Sequence, residues 1–338
     1  MSLEWAIAAF AGLAVVIAVA GTYLTKISDR LADVTGLGEA LVGGVLLGGV
    51  TSLSGIVTSV TAALEDHPAL AFSNAVGGIA AQTVFLAVAD IVYRRANLEH
   101  ASASLTSLMQ GVLLILMLGF VTLVMAAPSL TVLEVHPASF ILLLIYVFGT
   151  RLISQAQKRP MWEPSDTSET VEDEPDEENV QKYNLTSLIA QFVGLAAVVG
   201  FAGYFIAQTA IIIAEQSGVS ESFLGAVGTS IATSLPELVV SVSAVRQGAL
   251  TLAVSNIIGG NTFDVLFLAF ADGAYRNGSI YHQGDNEHSF IIALTVLLTG
   301  VLLLGLLHRQ KYGLGKVGWE SITMIGLFVG GYILLYYI

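Results

Sequence analysis

Two acids stand inside apolar runs of membrane length. The stretch Gly228–Asp272 reads GTSIATSLPELVVSVSAVRQGALTLAVSNIIGGNTFDVLFLAFAD, with Glu237 behind a proline and Asp264 inside a second apolar run. A carboxylate at the centre of a membrane helix costs about 2.5–3.5 kcal/mol on insertion scales, so its presence there points to function. Thr233, Ser234, Ser255, Asn256 and Asn261 surround the two acids with short oxygen-bearing side chains. Pro236 removes a backbone donor and frees a carbonyl a turn earlier, and Gly259-Gly260 loosens the second helix. Broken backbone at membrane depth persists only where protein buries it or where it lines a polar cavity. Carboxylates, hydroxyls, amides and freed carbonyls together suit a hard cation such as Na+ or Ca2+.

The elements that must position these groups are helices in a bilayer. Of 338 residues, 55% are apolar and 12% charged, with a mean hydropathy of +0.78. Soluble domains carry about 25% charged residues, so the chain reads as an all-α membrane protein. It has no cysteine, which excludes disulfides, thiol redox chemistry and a Cys-ligated zinc. The net charge of −13 is mostly local, since nine acids and no base fall between Glu163 and Glu178. No basic patch exists, so nucleic acid is not an expected partner. The opening Met-Ser-Leu-Glu-Trp lacks a basic region, so the first apolar run reads as a retained span.

Runs long enough to cross a bilayer, about 20 residues each, fall at 4–25, 37–63, 69–93, 103–127 and 137–157. A second set falls at 186–214, 219–245, 250–275, 288–308 and 316–337. The reading is therefore ten transmembrane helices in two groups of five: a first unit over 1–157, an acidic linker at 158–184, and a second unit over 185–338. The segment 36–94 aligns with 218–276 without a gap, giving 24 identities in 59 positions. Five helices per unit is an odd number, so the second copy enters the membrane from the opposite side. Inverted repeats of this kind are typical of secondary transporters with a midplane site. Counting Lys and Arg by side gives twelve against Arg276 alone, which predicts a cytoplasmic linker and both termini outside.

Thr233-Ser-Leu-Pro-Glu237, followed by Asn256-Ile-Ile-Gly-Gly-Asn-Thr-Phe-Asp264, resembles the signature α-repeat of the calcium/cation antiporter superfamily. That superfamily includes sodium/calcium and proton/calcium exchangers. The resemblance implies a sodium/calcium exchanger-like fold, with Glu237 and Asp264 as metal ligands. It further implies cation-binding roles for Thr233, Ser234, Asn261, Thr51, Ser52 and Gln82, and inorganic cations and the lipid bilayer as partners. No cofactor is expected, the transported ions being cargo. The first repeat departs from the pattern. Thr51-Ser-Leu-Ser-Gly55 puts Gly55 at the glutamate position and Ser54 at the proline, Ile79 stands opposite Asn261, and Gln82 stands opposite Asp264. An exchanger of the usual kind brings a glutamate from each repeat. This pocket has at most two negative charges, enough for one Ca2+ or two monovalent ions.

The remaining polar residues have plainer readings. Asp90 and Asp272 each precede an arginine by four residues, which predicts exposed i,i+4 pairs with Arg94 and Arg276. The six histidines fall near span ends without metal-ligand spacing and read as solvated loop residues. No zinc motif, Ser/His pair or paired aspartates occur in the spans, so an enzyme is not expected. The expectation is a secondary active antiporter exchanging Ca2+ for Na+ or H+ in the cell membrane. Sodium/proton exchange is the nearest alternative, and a channel or transport-inactive scaffold the more distant one. The first long helix of each half is the expected moving part.

Overall fold

The computed structural model describes residues 1–35, 51–93, 95–132, 134–165, 167, 184–283, 286–313, 315 and 317–338. In chain order its helices are α1 (Leu3–Thr35), α2 (Leu53–Leu64), α3 (Pro68–Tyr93), the short α4 (Leu98–Ser102), α5 (Leu105–Ala126), α6 (Pro137–Lys158) and α7 (Leu185–Ser217). They continue as α8 (Glu221–Thr233), α9 (Leu235–Gln247), α10 (Leu250–Asp264), α11 (Leu266–Ala274), α12 (Asn286–His308) and α13 (Trp319–Tyr337). Among the described residues there is no strand, only one antiparallel bridge between Val132 and Val135. Among the described residues, eight spans are long and apolar enough to cross a bilayer, α10 and α11 together forming one of them. The pair α8 and α9, bent by 47°, makes a ninth, broken span. Of the span expected at 37–63, positions 37–50 lie outside the described residues and α2 is the described part. Most of the acidic linker also lies outside them.

Helix ends follow local chemistry. Asn184 caps α7 by accepting from the N–H groups of Thr186 and Ser187, and Gly218, at φ +73°, closes it in the left-handed region that favours glycine. Gly248, at φ +91°, ends α9 in the same way. Pro137 opens α6 at a position where no N–H is needed.

α3 is the centre of the molecule. From Leu70 to Ala87 every residue is buried, and the helix packs against α2, α8, α9, α10, α12 and α13. α1 and α7 lie against one another at the outside, with Val15, Val16, Val19, Val193, Val198 and Phe201 exposed. A ring of exposed aliphatic and aromatic side chains suits a lipid surface.

Asp90 and Asp272 overturn the expected surface pairs. Both are fully buried. Asp90 accepts from the N–H of Leu98 (2.8 Å), the N–H of Gly318 (2.9 Å) and Ser321 Oγ (2.9 Å). Asp272 accepts from the N–H of Ile280 (3.1 Å), the N–H of His136 (2.8 Å) and Ser139 Oγ (2.7 Å). The register that aligns the two repeats also pairs their donors: Leu98 with Ile280, His136 with Gly318, Ser139 with Ser321. Each aspartate binds its own following loop and the start of the last helix of the other half. Arg276 instead faces Glu134 at 3.6 Å on the surface, and Arg94 lies outside the described residues. Nothing in the i,i+4 spacing could disclose partners from the opposite half of the chain.

Two histidines also depart from expectation. His288 is buried with its ring stacked on Phe72 at 4.3 Å, and His136 is buried as the cap of α6, accepting from the N–H of Ala138. Burial and the neighbouring His282 lower the pKa of His136, so it is held neutral.

Candidate functional site

The backbone breaks where the sequence places its proline. From Leu224 to Thr229 the chain widens into a π-helical turn, a form that concentrates at functional sites. It then narrows to Ser230–Thr233 and restarts as α9 with Pro236 in the first turn. Ser54 Oγ donates to the carbonyl of Thr233, the last residue before the break, at 3.0 Å. In the other half α2 starts at Leu53, directly after Ser52. The start of α2 thus meets the α8–α9 break through the Ser54–Thr233 bond.

Between them lies a cavity of about 10 Å3, space for one water-sized occupant. It is lined by Ser52, Gly55, Asn74, Gly78, Gln82, Thr233, Ser234, Glu237, Asp264 and Phe267. Asp264 accepts from Ser52 Oγ at 2.6 Å and from Gln82 Nε2 at 2.7 Å, and Gln82 Nε2 also reaches Ser234 Oγ at 3.2 Å. This network repeats in the register of the two halves. Gln82 and Asp264 are each other's counterparts, and the Ser52–Asp264 bond corresponds to the Ser234–Gln82 bond. The chemistry on the two sides differs: a carboxylate in one half meets an amide in the other.

Among the described residues, Asn74 Oδ1, Gln82 Oε1 and Glu237 Oε2 are buried oxygens at this cavity without a hydrogen-bond partner. Asn74 spends its amide N–H groups on Ser59 Oγ and the carbonyl of Gly55. Buried polar groups are normally satisfied, so three orphaned oxygens at one cavity call for a positive occupant.

Six of the eight candidate residues come together here: Glu237, Asp264, Thr233, Ser234, Ser52 and Gln82. Asn261 does not line the cavity; its Nδ2 donates to Thr83 Oγ1 at 3.0 Å, joining α10 to α3. Thr51 is outside the lining as well, and Ser255 bonds to the carbonyl of Leu252 on its own helix. Asn74 is a lining residue that the sequence reading does not single out. Its identity with Asn256 between the repeats is the available signal.

Gly55 stands where the second half carries Glu237, and Phe267 occupies the space. A Cβ at Gly55 would lie 2.6 Å from the Phe267 ring. Two further glycines, at matching positions of the two halves, bring the outer helices to the breaks. Gly21 of α1 lies against the Pro236 ring, and a Cβ at Gly203 of α7 would fall 2.7 Å from the carbonyl oxygen of Ser54.

The family described as "Sodium/calcium exchanger protein" matches residues 5–153 and 186–337, nearly the whole chain outside the linker. The chain belongs to this family of secondary transporters, and it is a multi-pass membrane protein rather than an enzyme. It is 30% identical over 143 residues to the sodium/calcium exchanger MaX1 of Methanosarcina acetivorans, a match covering 42% of this chain and 39% of that protein. It is 23% identical over 303 residues to an uncharacterized membrane protein of Methanocaldococcus jannaschii, covering 89% of this chain and 88% of that one. Among solved structures it is similar to the H+/Ca2+ exchanger CAX, with a TM-score of 0.69 at 11% identity over 98% of this chain and 85% of that chain. The sodium-calcium exchanger NCX_Mj, soaked with Na+ and Sr2+, gives 0.59 at 16% identity over 97% of both.

Proposed function

We propose that the protein is a secondary active cation antiporter that exchanges Ca2+ for Na+ or H+ by alternating access at the Glu237–Asp264 cavity. The observation that carries this reading is the set of orphaned acceptors, Asn74 Oδ1, Gln82 Oε1 and Glu237 Oε2, around a cavity with room for one small occupant. Two carboxylates balance one Ca2+, and hydroxyl and amide oxygens from Ser52, Ser234 and Gln82 complete a hard-cation shell. Na+ or H+ competes for the same carboxylates, and a neutralised site reorients more cheaply than a charged one. The two halves act as inverted repeats about the cavity, with α1 and α7 as the moving pair and the basic end in the cytoplasm. That an H+/Ca2+ and a Na+/Ca2+ exchanger share the fold supports either coupling ion.

One observation favours sodium/proton exchange as the second reading. Asp264 already accepts two short hydrogen bonds, from Ser52 and Gln82, which leaves Glu237 as the carboxylate with an unpartnered oxygen. A single free carboxylate suits a monovalent cycle. The test is Ca2+ uptake into proteoliposomes loaded with Na+ or with acid, for the native protein and Glu237→Gln. Uptake driven by either gradient and lost in the variant is expected, and names the coupling ion. Sodium-driven pH change without Ca2+ movement would replace the first reading by the second. No flux under any gradient would overturn both.

A further inference from the structure

A second group of buried carboxyls lies away from the cavity, at the end of the molecule where α4 meets α13. Glu99, on α4, is fully buried, and neither of its carboxyl oxygens has a hydrogen-bond partner among the described residues. Glu320, the second residue of α13, is also fully buried. Its Oε1 accepts from Asn97 Nδ2, while its Oε2 has no partner. It packs on Gly305 of α12, where a Cβ would come within 2.7 Å of Glu320 Cγ. Asp90 stands beside them, already holding its three donors.

The described basic groups around this pocket make their contacts elsewhere. Arg309, at the end of α12, gives Nε and Nη2 to the carbonyl of His100 and Nη1 to that of Ser165. His100 directs Nδ1 to the carbonyl of Arg309 at 2.7 Å. Lys311 offers its carbonyl to the N–H of Asn97 and sets its ammonium over the Tyr312 ring. His308 and Arg95 are exposed. α5 has no titratable side chain, and the first turns of α10 have none. Arg94 and Lys316 lie outside the described residues. Among described residues no lysine, arginine or histidine forms a salt bridge with Glu99 or Glu320.

Comparison of the two halves isolates what is special here. At the opposite end the aspartate and its donors recur, but Glu99 becomes Tyr281, whose hydroxyl meets Ser139 Oγ at 3.0 Å, and Glu320 becomes Ala138. The aspartate clamp therefore works without the acid pair. A metal ion fits poorly: Asn97 presents N–H to the pocket, Asp90 is saturated by donors, and no described group of three acid or histidine side chains is arranged to hold a metal. Asn97 links the two acids, accepting from the N–H of Glu99 and donating to Glu320. Two buried carboxyls so placed, with no counter-ion among the described residues, cannot both ionise cheaply, and one shared proton turns an orphaned acceptor into a donor for its neighbour.

We propose that Glu99 and Glu320 form a proton-binding pair, distinct from the cation cavity, in which a shared proton closes the junction between the α3–α5 connection and the start of α13. Burial, with the Asp90 and Glu320 charges added, raises the Glu99 carboxyl well above its ordinary value. The folded protein therefore retains a proton that the unfolded chain gives up. Its contribution is full at low pH and is lost as pH rises from the ordinary glutamate value, about 4.3, through the folded value. Loss of the proton leaves two like charges facing one another across the junction.

The test is thermal unfolding of the purified full chain from pH 5 to pH 9, in a Glu237→Gln background that removes the main cavity carboxylate. Glu99→Gln mimics the protonated acid in shape and supplies a donor. It should match the parent at pH 5 and unfold several degrees higher at pH 9, so that the two curves separate as pH rises. Glu320→Gln should do the same, and stands in should Glu99→Gln fail to accumulate. A variant less stable than its parent by the same amount at every pH would overturn the proposal, because a packing role predicts that result. Added Ca2+ or Na+ at pH 9 that stabilises the parent but not Glu99→Gln would also overturn it, by making the occupant a metal cation.

Discussion

Asp264 meets its own counterpart, Gln82, across 2.7 Å, so a single residue type decides whether the cavity holds two or three charges. The other lost charge is at Gly55, and packing makes that loss self-consistent: the Phe267 ring fills the space a side chain would need. Gly55→Glu alone is expected to overpack the site and cost about 1–3 kcal/mol, read as a lower unfolding temperature. Pairing it with Phe267→Ala opens the space, recovers part of that stability and adds a third carboxylate. Under the proposed exchange, counter-flux measurements on the double variant should then show a higher ratio of monovalent ions to Ca2+ than the same measurements on the unsubstituted chain. An unchanged ratio with restored stability would mean that position 55 does not reach the ion. That Glu237 and Asp264 line one cavity was legible in the sequence as a pair of candidates, because an acid inside an apolar run is costly and draws attention to itself. Fine placement was not. Asn261 sits in the same motif as Asp264 yet bonds to Thr83 between helices, and the motif spacing alone cannot tell an inward from a sideways amide.

At the scale of elements, the cavity exists because helices stop beside it and two outer helices press against the stops. The broken α8–α9 span keeps backbone carbonyls available, and the outer helices approach closely only because Gly21 and Gly203 lack side chains. Gly203→Val puts branched carbons against the Ser54 carbonyl, so either α7 moves away or the start of α2 is displaced. Transport in proteoliposomes is expected to fall about tenfold or more, as a strain of about 1.4 kcal/mol or more on a rate-limiting step requires. Gly194→Ala, nine residues earlier on the same helix and with nothing within 4 Å, is the control. It should leave transport intact and stabilise slightly, since alanine exceeds glycine in helix propensity by about 1 kcal/mol. Equal losses in both variants would argue against a specific contact. Hydropathy found these helices because each carries a long apolar run. It reads α8 with α9, and α10 with α11, as single spans, as they are in the fold, and Pro236 is the sequence mark of the bend between α8 and α9.

On the scale of the whole molecule, each half finishes the other. Asp90 holds the start of α13, and Asp272 holds the start of α6, through donor sets that the repeat register maps onto one another. Sequence comparison made the repeat visible, but the repeat alone predicts only that the two aspartates share an environment. It does not say that the environment is buried, nor that its donors come from the opposite half, because a helix-end Asp-x-x-x-Arg also describes a surface pair. The two clamps are separated by the length of α5, 22 residues or about 33 Å at 1.5 Å per residue. Asp272→Asn replaces an acceptor oxygen by an amide whose hydrogens face donors, losing at least one charge-assisted bond worth about 1.5–3 kcal/mol. Asp90→Asn should cost a similar amount. Sites this far apart with no shared partner are expected to act additively. The double variant should therefore lose the sum of the two single losses, measured as denaturant midpoints in detergent. A double loss well short of the sum would mean that the halves come apart as one cooperative event once either clamp opens. In that case the crossed aspartates would be acting as a single lock on the whole bundle.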